Sequence, residues 1–214
     1  VVTLASKTDP RPEEDDLPPL NMKCASHDCE RNLHCFRVTK RMALEDRGHC
    51  RYCGADLVDW TRVRRQDVSD VAHTIEALKK EYVRHHFWHK VPTQKATNHA
   101  LRKGREGMRE ATERRIRSSV GRARAELFRD GTQTTMNDDQ ANMIHFAQHA
   151  TASCCRACIK EWHDIPPDRA LSDAEVSYLV DLVMCYVDEK LPDLKEQGIE
   201  VPPVRRTKIG DVTR

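Results

Sequence analysis

The sequence predicts a mainly α-helical protein that carries a small N-terminal zinc-ribbon-like element and a second Cys/His zinc site. Three observations lead there. Apolar residues recur at helical spacing in several segments, and the last of these has clear start and stop signals. Nine cysteines and eleven histidines include two dense Cys/His blocks. The 214 residues are 33% charged, 38% apolar and only 5% aromatic, whereas soluble domains are about 25% charged, so metal coordination is expected to supplement a lean core.

Five segments are expected. Residues 1–20 join Pro10, Pro12, Pro18 and Pro19 to the acidic run Glu13–Asp16 and bury too little apolar surface to order themselves, which makes them an arm. Residues 21–66 form a four-cysteine element, with short strands only around Cys35–Val38 and Leu57–Trp60. Residues 67–129 form a basic helical segment. In it Val71, Ile75, Leu78 and Tyr82 share one helical face that Ser69 or Asp70 caps, running to about His86. After Pro92 the stripe Leu101, Met108, Ala111, Val120 and Leu127 is sparse, and Gly104, Gly107 and Gly121 weaken it, so one or two surface helices are expected. Residues 130–192 hold the second Cys/His block and the clearest helix. Ser172 and Glu175 make a capping box, Val176, Leu179, Val180, Val183 and Val187 make the buried face, and Pro192 stops it. Residues 193–214 read as a tail.

The cysteines favour metal over disulfides, because an odd count at short spacings in a reducing compartment points to ligation. No apolar run reaches the roughly 20 residues that a bilayer requires. Val1–Ser6 lacks the charged start of a secretory signal. A cytoplasmic setting is therefore expected.

In the first block, Cys24 and Cys29 precede Cys50 and Cys53, a C-x4-C knuckle and a C-x2-C knuckle joined by a twenty-residue loop. Two such knuckles bring four thiolates to a tetrahedral zinc at about 2.3 Å. Gly54 follows the second knuckle, where the turn around the metal favours positive φ. His27, His34, Cys35 and His49 lie close enough in sequence to replace one ligand. A closed set of four leaves no place for substrate, so a structural role is expected. The CRYCG knuckle resembles the opening knuckle of HNH-type nucleases, but the nearest following histidine, His73, is preceded by Ala72 and falls on the helix, so the resemblance ends there.

In the second block, His145–Pro166 holds three histidines and three cysteines. The expected ligands are His149, Cys155, Cys158 and His163, two thiolates and two imidazoles around a second zinc, with Cys154 and His145 as alternatives. An iron–sulfur cluster would need Cys154, Cys155, Cys158 and Cys185 together. The stretch AQHATASCCRACIKEWHDIP, with DGTQTT before it and LSDAEVSYLVDLV after it, resembles a family of short bacterial proteins built around a domain of unknown function. The resemblance runs over residues 130–183 and departs from the family pattern at Asp164, where glycine is expected. It implies a domain and no particular chemistry.

From Arg84 to Arg129 thirteen basic residues face four acidic ones. Such density beside aromatic rings suits a phosphate backbone and a stacked base. The expected contacts are Trp88, Arg102, Lys103, Arg105, Arg114, Arg115, Arg117, Arg122 and Arg124. The sequence thus favours a zinc-stabilised nucleic-acid-binding protein, DNA or RNA. One alternative is a metal-dependent enzyme acting on nucleic acid through His85, His89, His145 or His149. Another is an interaction module, in which the bases meet an acidic protein or the chain's own acidic half, Asp164–Glu189.

Overall fold

A computed structural model of the protein describes residues 22–202. The expected arm and the tail beyond residue 202 lie outside them. The described residues contain seven helices: α1 Trp60–Val63, α2 Val71–Leu78, α3 Tyr82–His89, α4 Gln94–Ser119, α5 Met143–Ala150, α6 Arg156–His163 and α7 Asp173–Lys190. Among them there is no strand; the stretches expected to be strands are irregular. Two isolated bridges, Asp28 with Leu33 and His34 with Glu81, are the extended pairings found. None of these helices is long and apolar enough to cross a membrane.

α7 follows its sequence signals closely. Ser172 N–H donates to Glu175 Oε2 at 2.8 Å and Glu175 N–H to Ser172 Oγ at 3.2 Å. Its buried face, Val176, Leu179, Val180, Val183 and Val187, packs against α4 and α5. α5 has a capping box as well, in which His145 takes the role usual for Glu: Asn142 Oδ1 accepts from His145 N–H, and His145 Nδ1 accepts from Asn142 N–H. α3, α4, α5 and α7 enclose the larger core, built on Phe87, Trp88, Met108, Ile116, Phe146, Leu179 and Tyr186.

One helix departs from expectation, and another kinks where its glycines weaken it. The single helix expected over Val71–His86 breaks at Lys79–Glu81, because backbone groups there pair across to another segment. His34 N–H donates to Lys80 O and Tyr82 N–H to His34 O, both at 2.9 Å. The break tethers the N-terminal element to the helical body. Asp70 occupies the cap position of α2 without bonding its backbone, since Arg62 holds its carboxylate.

α4 kinks at Gly104, where φ is 65° and ψ 178°, a region open essentially to glycine alone. The N–H groups released there are taken by the chain after α7: Arg105 N–H donates to Lys195 O and Glu106 N–H to Glu196 O, while Ile199 N–H donates to Leu101 O. The expected tail is thus, through its described part, a strap across the kink.

A smaller core, Phe36, Cys50, Val58, Val63, Leu78, Cys154, Cys158 and Trp162, lies beneath the N-terminal element. Phe36 meets both Trp60 and Trp162 edge-on at 5.7 and 5.8 Å. This aromatic group carries the two thiol-rich blocks on one apolar base.

Candidate metal centres

All nine cysteines are free thiols. Two groups of them converge. In the first, Cys29, His34, Cys50 and Cys53 bring their ligand atoms within 4.8 Å of one another. Cys29 sits on a short 3-10 turn capped by Asp28, and Cys50 and Cys53 sit on the glycine-ended turn. Gly54 adopts φ 73°, and its N–H closes the turn on Cys50 O at 2.8 Å.

Cys29 Sγ and Cys50 Sγ are 3.8 Å apart, and His34 Nδ1 faces Cys53 Sγ at 3.4 Å. Asn32 Oδ1 accepts from His34 Nε2–H at 2.9 Å, which leaves the Nδ1 lone pair toward the sulfurs, the orienting bond that metal-bound histidine ordinarily has. Burial opposes a charge on Cys50, but N–H groups of Cys35, Cys53 and Tyr52 and the His34 ring outweigh it and bring its thiol to about 6. Burial and the two neighbouring sulfurs push Cys29 up to about 12. Three thiols and one correctly oriented imidazole fit a tetrahedral metal ion.

The four-cysteine set expected from sequence is corrected in one member. Cys24 does not join the group; its carbonyl instead faces the buried Cys35 thiol at 3.8 Å. His34 takes its place because the bridge to Glu81 fixes its backbone beside the second knuckle.

In the second group Cys154, Cys155 and Cys158 converge within 4.8 Å. Cys155 is the N-cap of α6 and accepts from Cys158 N–H at 3.4 Å. Arg84, fully buried, reaches across from α3. Its Nη2–H donates to Cys158 Sγ at 3.1 Å, its Nη1–H to His149 O at 2.6 Å, and its Nε–H to Glu81 Oε2 at 3.2 Å. Nη1 also lies 3.9 Å from Cys154 Sγ. Trp162 Nε1–H donates to the same Glu81 oxygen at 2.6 Å.

The expected imidazole ligands lie apart from these sulfurs. His163 uses both ring nitrogens, on Tyr178 Oη at 3.2 Å and Thr151 O at 3.0 Å. His149 pairs Nε2 with Thr134 O at 3.1 Å and stacks on Phe87. Burial drives both well below the ordinary imidazole value, to about 4 for His163 and about 3 for His149, so each packs as a neutral ring. Cys154, read as an alternative from sequence, is the third sulfur. Arg84 and Glu81 were missed as a buried pair; the only sequence signal was an acid and a base at i, i+3.

The imidazole pairs considered for catalysis gather no third ligand among the described residues. The rings of His85 and His89 lie tilted against each other at 3.9 Å, with their Nδ1 atoms on the carbonyls of Lys79 and His85. His145 is spent in the α5 cap.

The basic segment is largely neutralised from within. Arg105 holds Asp188 in a two-bond clamp at 3.0 and 2.9 Å, Arg109 holds Asp181, and Arg117 meets Asp173 and Glu113, both at 2.9 Å. The α7 acids run in the order opposite to the α4 bases, as antiparallel neighbours must. Arg124 pairs with Asp130 at 3.2 Å and Arg114 with Glu110 at 3.5 Å. Arg115 donates to Gln133 O, and Arg102 lies 3.4 Å from the carbonyls of Val201 and Pro202. Arg122 is exposed and Lys103 half-buried. Trp88 is a correction: it is 1% exposed and its Nε1–H donates to Glu189 at 2.7 Å, so its ring faces are closed to a base.

The fold and these clusters define a mainly helical protein with two thiol-rich groups able to hold metal. The chain belongs to the family described as Domain of unknown function (DUF4186), whose model matches residues 72–188. The second thiol group, Glu81 and Arg84 lie inside that match; the first group precedes it. No solved structure matches the chain.

Proposed function

We propose that the protein binds nucleic acid through its N-terminal element, which a structural zinc on Cys29, His34, Cys50 and Cys53 holds in shape. The observation that carries this reading is the placement of charge. Arg105, Arg109 and Arg117 of α4 are paired with acids of α7, and Arg102 reaches the carbonyls of Val201 and Pro202, whereas Arg37, Lys40, Arg41, Arg47 and Arg51 crowd one exposed stretch of the N-terminal element. Two acids, Glu45 and Asp46, share their stretch of chain. Arg41 and Arg51 line a cleft of about 370 Å³ with Thr39, Asp46, His49 and Cys50, directly against the metal ligands. Beside it Tyr52, 47% exposed, stacks on His27 at 3.3 Å and carries the Arg51 guanidinium over its ring at 5.1 Å. Cationic groups around an exposed aromatic platform suit a phosphate backbone with an unstacked base.

Fluorescence anisotropy with labelled single-stranded and duplex DNA and RNA across a salt series tests it. The expected log–log slope is roughly −0.7 to −0.9 per phosphate contact. Changing Arg41, Arg47 and Arg51 together to Gln lowers affinity and flattens that slope, while changing Arg114, Arg117 and Arg124 to Gln leaves both nearly unchanged. Tyr52→Ala costs about 1 to 3 kcal/mol of single-strand binding. Absence of binding by all four nucleic acids at low salt overturns the reading.

A further inference from the structure

The second thiol group differs from the first in chemistry. It contains sulfur alone: among the described residues no imidazole, carboxylate or fourth thiol comes within ligand distance of Cys154, Cys155 and Cys158. The Arg84 guanidinium stands against Cys154 and Cys158, with nitrogens 3.9 and 3.1 Å from their sulfurs. A guanidinium has no lone pair to give a metal. Arg84 is itself held by Glu81 through Nε and by the carbonyl of His149 through Nη1. Cys154 and Cys158 are 3% and 7% exposed and belong to the apolar core with Phe36 and Trp162. Only Cys155 is partly open, at the end of α6 beside Gly131, where a Cβ would lie 3.0 Å from the Cys155 Cβ.

Zinc keeps four ligands in nearly all its protein sites, and the first group supplies four with a borderline nitrogen among them. A largely buried three-sulfur set with a cation bonded to its sulfurs suits an ion that accepts three soft ligands and carries a small charge of its own. Soft thiolate sets suit copper(I), zinc and iron–sulfur clusters, and of these copper(I) is the ion that a set of only three sulfurs satisfies, since zinc and iron in such clusters ask for four ligands. We infer that Cys154, Cys155 and Cys158 form a three-coordinate site for copper(I), entered past Cys155, with Arg84 as the positioning residue whose N–H groups bond to the coordinated sulfurs. Binding changes no oxidation state. Each coordinating thiol gives its proton to solvent as its sulfur bonds the metal, and Arg84 offsets part of the negative charge that three thiolates leave around a monovalent ion. The two groups then divide metals by ligand type, zinc at the mixed set and copper(I) at the sulfur set.

The 214-residue chain is tested anaerobically with copper(I) supplied from a competing chelator, together with zinc. The expected result is one copper in addition to one zinc per chain, and an X-ray absorption spectrum of the copper that shows three sulfurs and no nitrogen shell. Cys155→Ser removes the copper and keeps the zinc. Arg84→Lys keeps the copper stoichiometry and weakens its affinity about 10- to 100-fold, as changes to groups that bond metal ligands do. Three results would overturn the inference: zinc displacing copper(I) from this site, iron recovered with acid-labile sulfide, or wild-type protein that takes no copper(I) from the chelator. The wild-type spectrum and competition decide the matter even where a variant fails to fold.

Discussion

At the scale of single residues, the metal-binding half of the protein turns on which side chains meet. Cys24 looks like a ligand from its spacing, and His34 looks like one of several residues able to replace one ligand. The backbone bridge to Glu81 reverses these roles. The consequence is measurable by elemental analysis and thermal melting: Cys24→Ser retains zinc and melts like the parent chain, whereas His34→Ala loses zinc and the folding free energy that metal binding contributes to the N-terminal element. Equal losses in both variants would return Cys24 to the ligand set. Trp88 shows the same lesson with opposite sign, since its aromatic surface, read from sequence as a platform for a base, is occupied by the core and by Glu189. Periodicity identifies which residues are able to pack or ligate; distance in the fold selects among them.

At the scale of elements, α4 is held by two neighbours acting on different properties. α7 supplies charge, in pairs that at partly exposed positions contribute about 0.2 to 1 kcal/mol each, so their larger effect is to neutralise the helix. The strap at residues 195–199 supplies backbone acceptors to the donors that the kink releases, and these would otherwise be unpaired. A Cβ on Gly104 would stand 2.4 Å from the Glu196 carbonyl oxygen and the Gln197 carbonyl carbon, and one on Gly198 would stand 2.1 Å from the Arg102 carbonyl oxygen. Gly104→Ala is therefore expected to destabilise by at least about 1 to 3 kcal/mol through backbone strain alone, seen as a lower midpoint in urea unfolding. An unchanged midpoint would mean that the strap does not clasp the kink in solution. The three glycines after Pro92 were legible as a weakness in the helix. Their use was not, because the segment that exploits Gly104 lies about ninety residues away in the chain.

At the scale of the whole molecule, burial of neutral histidines makes stability depend on pH. His99, His145 and His163 are lowered to about 4 and His149 to about 3, in each case chiefly by desolvation. In the unfolded chain these rings take up protons near 6.5, while the folded protein refuses them. The stability they contribute is therefore complete above the unfolded value and is lost as pH falls from about 6.5 towards 4. Glu161 acts in the other direction. Burial holds its carboxyl up at about 8, so the folded chain keeps a proton that the unfolded chain releases, and stability falls as pH rises from the ordinary carboxylate value towards 8. Four rings outweigh one carboxyl on the acid side, which places maximum stability at about pH 7. Urea midpoints measured from pH 4.5 to 8 check this; a flat profile below 6.5 would show that the rings are open to protons in the folded state.

The sequence by itself determined the helical class, the α7 helix with its capping box and its stop, the two thiol-rich blocks and the resemblance that places the chain in its family. These depend on spacing, capping chemistry and composition, all of which act over a few neighbouring residues. Only the tertiary structure decided that His34 joins the first centre, that Cys154 joins the second while His149 and His163 pack elsewhere, and that Arg84 leaves the basic face for the core. It also decided that Arg105, Arg109 and Arg117 of α4 meet the acids of α7. The reason is that ligation and ion pairing are set by separations of a few ångströms between segments far apart in the chain. A local pattern names the candidates for such contacts, and the packing of α3, α4, α6 and α7 chooses the partners.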